Sequence, residues 1–374
     1  MGLYDSNIKR DVDALNNLLK GIKPSKSVSN YPFQQIFYGA PGTGKSNTIK
    51  KDVDEKGKIN YRVTFHPDSD YSTFVGSYKP TMKESVITKD GVETKEEQIV
   101  YRFVPQAFTK AYVNAWKTDE EVFLIIEEIN RGNCAQIFGD LFQLLDRKNG
   151  VSEYPIDADS DLTGYICKEL TNSERQDIPN EVKEGKKLVL PSNLFIWATM
   201  NTSDQSLFPI DSAFKRRWEW KYTPIAQGKD ENGNLMKWQI EGLGENSWWT
   251  FIQGINEVID VTTHSEDKKL GFFFCKDQDG VIKKETFVNK VIFYLWNDVF
   301  KVYGFKSEIF DKKGKDDKTE KITFKSFYKD DGSVNEETMS VFVQNVMAKA
   351  PKENSNNEAP NESEEISEES ETEA

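Results

Sequence analysis

The sequence predicts an α/β fold: a five-stranded parallel sheet with helices on both faces, followed by a smaller, mostly helical part. Three observations carry this reading. Short apolar runs recur at Gln35–Tyr38, Tyr61–Phe65, Val122–Ile126, Leu194–Thr199 and near Trp218–Tyr222. Helical or long segments separate them instead of tight turns, which is the spacing of parallel strands joined by crossovers. The first run opens into a Gly-rich turn, Gly39-Ala40-Pro41-Gly42-Thr43-Gly44-Lys45-Ser46, with a helix expected from about Lys45.

The elements follow in order. Ile8, Val12, Leu15, Leu18 and Leu19 fall at roughly helical spacing, and GIKPSKSVSNYP then reads as a linker, so residues 1–32 form a helix and linker too short to be a domain. Residues 33–225 are the expected sheet domain. Two of its connections are elaborations: Lys89-Asp90-Gly91 offers a hairpin turn between β-like stretches, and the stretch Val151–Val189 carries a second turn at Glu184-Gly185. Beyond Tyr222 the Trp-rich NSWWTFIQGINEVI reads as helix, followed by KKLGFFFCK and a further apolar helix over Phe287–Val302; residues 226–350 are the expected lid. The tail 351–374 has no aromatic residue and one Ile, which is too little to offset the entropy of ordering, so disorder is expected there.

Composition narrows the function classes. The chain has 374 residues with a net charge of −13, but nine Glu and one Lys lie in Pro351–Ala374, which leaves about −5 for Met1–Ala350. A mildly acidic body argues against unaided grip on a nucleic-acid backbone, which is driven by Lys and Arg. No apolar run approaches the ~20 residues needed to cross a bilayer, and the N-terminus has no signal-peptide core, so a cytoplasmic location without membrane contact is expected. Cys134, Cys167 and Cys275 lie far apart and only His66 and His264 are present, so no zinc spacing exists. Chemistry must rest on Lys, Ser, Arg, Asn, carboxylates and a bound ion.

Three blocks supply it. Gly39 to Ser46 satisfies G-x-x-x-x-G-K-[ST] between a strand and a helix: the glycines let backbone N–H groups surround phosphates, Lys45 reaches the β and γ oxygens, and Ser46 offers its hydroxyl to Mg²⁺. Asn47, next in the helix, is counted with the nucleotide-binding residues. The strand FLII ends in Glu127 and Glu128, a carboxylate for the metal and a carboxylate to polarise the attacking water. The strand LFIWATMN ends in Asn201, placed where polar strand ends line a ligand crevice. Lys215, Arg216 and Arg217 follow in DSAFKRRWEW, where no acid of the same chain is evident in the sequence; an arginine there could reach a neighbour's γ-phosphate.

EEINRGNCAQIFGDLFQLLD (127–146), MNTSD (200–204) and FHPDSDYSTFVGSYKP (65–80) resemble the McrB family of AAA+ proteins, the GTP-hydrolysing motor subunits of modified-cytosine-dependent restriction systems. The resemblance covers about Phe33–Tyr222 and weakens through EDKKLGFFF. It implies Asn201 as sensor 1, Asp204 with the MNTSD loop near the nucleotide, Arg216 or Arg217 as an arginine finger, and Asn130 and Arg131 near a subunit interface. It further implies GTP in preference to ATP, a homo-oligomeric ring, expected as a hexamer, a McrC-like nuclease partner, and DNA engaged through the complex. Glu127 departs from the commoner Asp, and Gln205 stands where the family often has Arg. A short form without the N-terminal DNA-reading domain is expected. An ATP-driven MoxR-like protein remodeller and a nucleotide-gated scaffold with little hydrolysis are the alternative readings.

Overall fold

A computed structural model describes residues 30–351 except 90–91, 174, 176, 203–207, 277 and 315–317; the side chains of 85–89 and 92–96 are also outside the description. The expectations for the N-terminal helix, the acidic tail, Asp204 and Gln205 therefore fall outside the described residues.

The longer strands of the first part are β1 (Gln34–Gly39), β2 (Ile59–Thr64), β3 (Gly76–Lys89), β4 (Val92–Pro105), β5 (Val122–Glu127), β6 (Leu194–Asn201) and β7 (Glu219–Tyr222). Five of them form one sheet in the order β7-β1-β6-β5-β2, with every pairing parallel. The expected five-stranded parallel sheet is present, its strands extended by a residue or two at some ends. Parallel strands bury both faces, so their side chains read as continuous apolar runs and not as alternation. Ile36, Leu124, Ile126, Ile196 and Ala198 turn to one core. Phe37, Phe123, Ile125, Phe195 and Trp197 turn to the other, where they meet Ile49 and Val53.

Helices α1 (Lys45–Val53), α2 (Ala107–Lys117), α3 (Ser160–Leu170), α4 (Ser247–Thr263) and α5 (Glu336–Met347) are the longest regular α-helices described. In α3 the apolar residues Leu162, Ile166 and Leu170 recur every fourth position and enter the first core, while Asp159 caps the helix by accepting the Leu162 amide at 2.7 Å.

The two elaborations differ in kind. Strands β3 and β4 pair antiparallel along their whole length, from Gly76 opposite Pro105 to Lys89 opposite Val92, and so form the expected hairpin. The stretch 151–189 is instead a helical excursion. Ile156–Asp157 pairs with Lys187–Leu188 at its neck, and α3 and the short helix Asn180–Lys183 fill the interior. Glu184-Gly185 closes that short helix and joins no hairpin.

Beyond β7 a separate apolar cluster gathers α4, α5 and the helical stretch 284–300, most of which is wound with π-type hydrogen bonding. Trp248, Phe251, Phe287, Phe310, Phe327 and Phe342 are its large buried rings. Gly254 brings α4 against the end of α5: a Cβ there would lie 2.1 Å from the Val346 carbonyl oxygen. No helix among the described residues is long and apolar enough to cross a membrane.

Candidate nucleotide-binding site

The parallel sheet directs the ends of β1, β5 and β6 to one edge, because β1 and β5 both flank β6. Gly39 lies opposite Asn201 in the register, and Thr64 on β2 lies opposite Glu127. The three sequence blocks, more than a hundred residues apart at their extremes, therefore converge.

Gly42 and Gly44 have φ of 79° and 88°, a left-handed backbone that favours glycine, and Gly44 is the residue before α1. The loop's own side chains brace it: the Thr43 hydroxyl donates to the Ala40 carbonyl at 3.0 Å. The Lys45 ammonium donates to the carbonyls of Gly39 at 3.0 Å and Ala40 at 2.9 Å. Lys45 is 6% exposed. Burial pushes its pKa down to about 8, while the charges of Glu128 and Glu127 pull the other way. Asn47 is exposed on the first turn of α1.

Glu127 is held at both oxygens. Its Oε2 accepts from the Ser46 hydroxyl at 2.8 Å and from the Thr199 hydroxyl at 2.6 Å, while its Oε1 accepts from Arg62 Nη1 at 2.9 Å. Arg62 Nη2 donates in turn to Asp54 at 2.8 Å. The set offered by Ser46, Glu127 and Thr199 consists of hard oxygen donors, which suits Mg²⁺. Among the described residues no group of three or more His, Cys, Asp or Glu gathers to hold a metal, so protein oxygens here would supply only part of a coordination shell. Such partial shells, completed by water and phosphate, are how Mg²⁺ is usually bound.

Glu128 sits one residue past β5 in a left-handed conformation, φ 57°. Its amide donates to Thr199 Oγ1 at 3.1 Å, and Asn201 Nδ2 donates to its carboxylate Oε1. Glu128 and Asn201 are thus side by side at the strand ends. Asn130 is 4% exposed, and its amide donates to the Asn201 carbonyl at 2.7 Å. Within the chain Asn130 is buried and its side-chain amide holds the last residue of β6. Arg131, next to it, is exposed.

The two arginines near β7 separate. Arg217 has an acid of its own chain, since its Nη2 donates to Asp146 at 2.5 Å; the guanidinium also lies 3.9 Å above the Phe142 ring. The sequence reading found no such acid because the pair is 71 positions apart and meets only in the fold. Arg217 is thus paired within the chain and Arg216 is the exposed member.

Sequence reasoning missed Arg62 and Thr199. Thr199 sat unremarked within WATMN. Arg62 gave no local signal, because its partners Glu127 and Asp54 come from another strand and from the end of α1.

Comparison with known proteins agrees with the geometry. The family profile described as "AAA domain (dynein-related subfamily)" matches residues 34–218. A component of the type II restriction enzyme BsuMI, YdiS of Bacillus subtilis (strain 168), is 39% identical over 302 residues, 75% of this chain and 84% of that protein. The EcoKMcrB subunit of a type IV methyl-directed restriction enzyme of Escherichia coli (strain K12) is 24% identical over 271 residues, 69% of this chain; the match spans 50% of that longer subunit.

Proposed function

The chain belongs to the McrB-like AAA+ family, and from that premise we propose that it is a GTP-hydrolysing motor subunit of a DNA restriction complex whose nuclease is a separate, McrC-like subunit. The observation that carries the reading is the convergence of Lys45, Ser46, Glu127, Glu128 and Asn201 at one sheet edge, in a chain with two relatives named as restriction components. GTP, the ring and the nuclease partner are parts of the proposal.

The residues divide the work. Amides of Gly39–Ser46 and the N-terminus of α1 take the phosphate oxygens, and Lys45 gives up its bonds to the Gly39 and Ala40 carbonyls to meet them. Ser46 and Glu127 would hold Mg²⁺, which neutralises charge on the phosphates. Arg62 and Thr199 fix the Glu127 carboxylate. Glu128 orients the attacking water and accepts its proton, and Asn201, bonded to Glu128 Oε1, fixes that carboxylate beside the γ-phosphate. Arg216 reaches the nucleotide of the neighbouring subunit and stabilises the charge that develops during transfer. Residues 226–350 close over the site as the lid.

Steady-state phosphate release with GTP and ATP in parallel tests this, with Lys45→Ala as the control for contaminants and the mass in each nucleotide read by size exclusion. GTP-selective turnover with nucleotide-dependent assembly is expected. ATP-selective turnover would move the chain to a protein-remodelling role.

A further inference from the structure

The segment Leu270–Phe274 leaves the C-terminal cluster and lies directly on the phosphate loop. The Gly271 amide donates to the Pro41 carbonyl at 2.9 Å, and the Phe273 amide to the Gly42 carbonyl at 2.8 Å. The approach is as close as backbone allows. A Cβ on Gly271 would stand 2.3 Å from the Gly42 carbonyl carbon and 2.4 Å from the Thr43 nitrogen; a Cβ on Gly42 would stand 2.4 Å from the Phe274 nitrogen. The Phe273 ring rests against Gly44, at ordinary contact distance for a Cβ placed there.

Helix α4 fixes the segment from behind. Asn256 donates to the Leu270 carbonyl and accepts the Leu270 amide, both at 2.8 Å, and Trp248 Nε1 donates to the Phe272 carbonyl at 2.7 Å. Leu270, Phe272 and Trp248 are fully buried. This segment is thus a rigid strap between α4 and the phosphate loop.

We propose that the 270–274 strap is a positioning element for phosphate binding: it takes the Pro41 and Gly42 carbonyls and so aims the following amides, Gly42 N–H and Thr43 N–H, at the nucleotide, with Asn256 as the positioning residue behind it. The argument is geometric. In a trans peptide the C=O and N–H point in opposite directions, so carbonyls turned toward the strap send their partner amides away from it. A phosphate-binding loop needs its amides converging inward and its carbonyls satisfied outward. Before nucleotide binds, Lys45 and Thr43 take the carbonyls of Gly39 and Ala40; the strap takes the next two and keeps them when Lys45 turns to the phosphates. The inference rests on reading residues 39–46 as the phosphate site.

Gly271→Ala isolates the contact. Gly271 has φ −87° and ψ 163°, extended backbone that alanine adopts without strain, and the nearest neighbours of the added methyl are Gly42 and Thr43 of the phosphate loop. Dissociation constants for fluorescent GDP and ADP analogues, with Mg²⁺, are measured on the full chain, on Lys45→Ala, on Gly271→Ala, and on Asn256→Asp and Asn256→Leu. Gly271→Ala is expected to weaken binding by about tenfold or more. Asn256→Leu should weaken it similarly, with a lower nucleotide-free melting midpoint because the buried Leu270 amide and carbonyl lose their partner; Asn256→Asp keeps the acceptor but sets an oxygen against the Leu270 carbonyl and should weaken it as well. Affinity within about twofold of the parent for folded Gly271→Ala and Asn256→Leu overturns the proposal. If Gly271→Ala fails to fold, the Asn256 pair decides alone. A parent chain that binds neither nucleotide would overturn the nucleotide reading itself, and with it this one.

Discussion

The sheet part and the C-terminal cluster both bury a full complement of aromatic side chains, yet they hold function differently. In the first, the residues that matter stand at strand ends and act through side chains: Thr199 bonds both Glu127 and the Glu128 amide, Asn201 bonds the Glu128 carboxylate, and the charges of both glutamates act on Lys45. In the second, the approach to the same site is made by backbone, through the Gly271 and Phe273 amides, which the Asn256 and Trp248 side chains hold from behind by hydrogen bonds. A site can thus be built half from chemistry that a motif spells out and half from main chain brought close by one glycine and held by a few buried polar groups.

Substitutions that separate the two contributions test the contrast. Trp248→Ala removes a fully buried ring and the donor to Phe272, and is expected to cost about 3–5 kcal/mol of stability in the C-terminal cluster; thermal unfolding followed by near-UV dichroism reads it, and nucleotide affinity should fall with it. Glu128→Gln should do the reverse, lowering turnover by roughly 10²–10⁴ while melting and nucleotide binding stay put, as phosphate-release assays and calorimetry would show. If Glu128→Gln also loses binding, the division between positioning and chemistry fails.

The arginine pair sharpens the comparison within one short segment. Arg217→Ala breaks a pair whose arginine side chain is only 8% exposed and should cost about 2–3 kcal/mol. Arg216→Ala should leave the melting midpoint unchanged and slow hydrolysis only in assembled protein, which turnover measured against protein concentration would reveal.

The smallest expected effect is on pH. Burial holds the Lys45 pKa near 8, below its ordinary 10.5. The folded chain therefore sheds that proton first, and this lysine's contribution to stability rises between about pH 8 and 10.5. Nucleotide affinity runs the opposite way: a neutral amine no longer attracts phosphate, so the dissociation constant should climb above about pH 8, by at most about tenfold per unit. Lys45→Arg should flatten that climb.

The three central strands β1, β5 and β6 were readable because each is an apolar run ending at a candidate site residue, and the phosphate loop is local in sequence. Glu127 and Glu128 were readable for the same reason. Arg62 and Asp146 were not: their roles arise from pairings across strands and across 71 positions, and a lone charged residue carries no mark of its partner. The bond from Asn130 to the Asn201 carbonyl was hidden for a related reason, since its two ends lie 71 positions apart. The strap was invisible in principle, because hydrogen bonds between main chains leave only two glycines, Gly42 and Gly271, as a trace.

The β3–β4 ribbon has a mechanical consequence. Fourteen paired residues per strand extend roughly 45 Å at about 3.3 Å each, and the root is seated where Phe103 meets Tyr165 of α3. Tyr78 pairs with Phe103, Pro80 with Tyr101, and Met82 with Ile99, and Tyr101 is 71% exposed. An arm of that length is a lever: a tilt of about 5° at its root sweeps its far end through about 4 Å, more than the rise of a residue along a strand. A small tilt at the root would therefore reach the outer part of the ribbon enlarged.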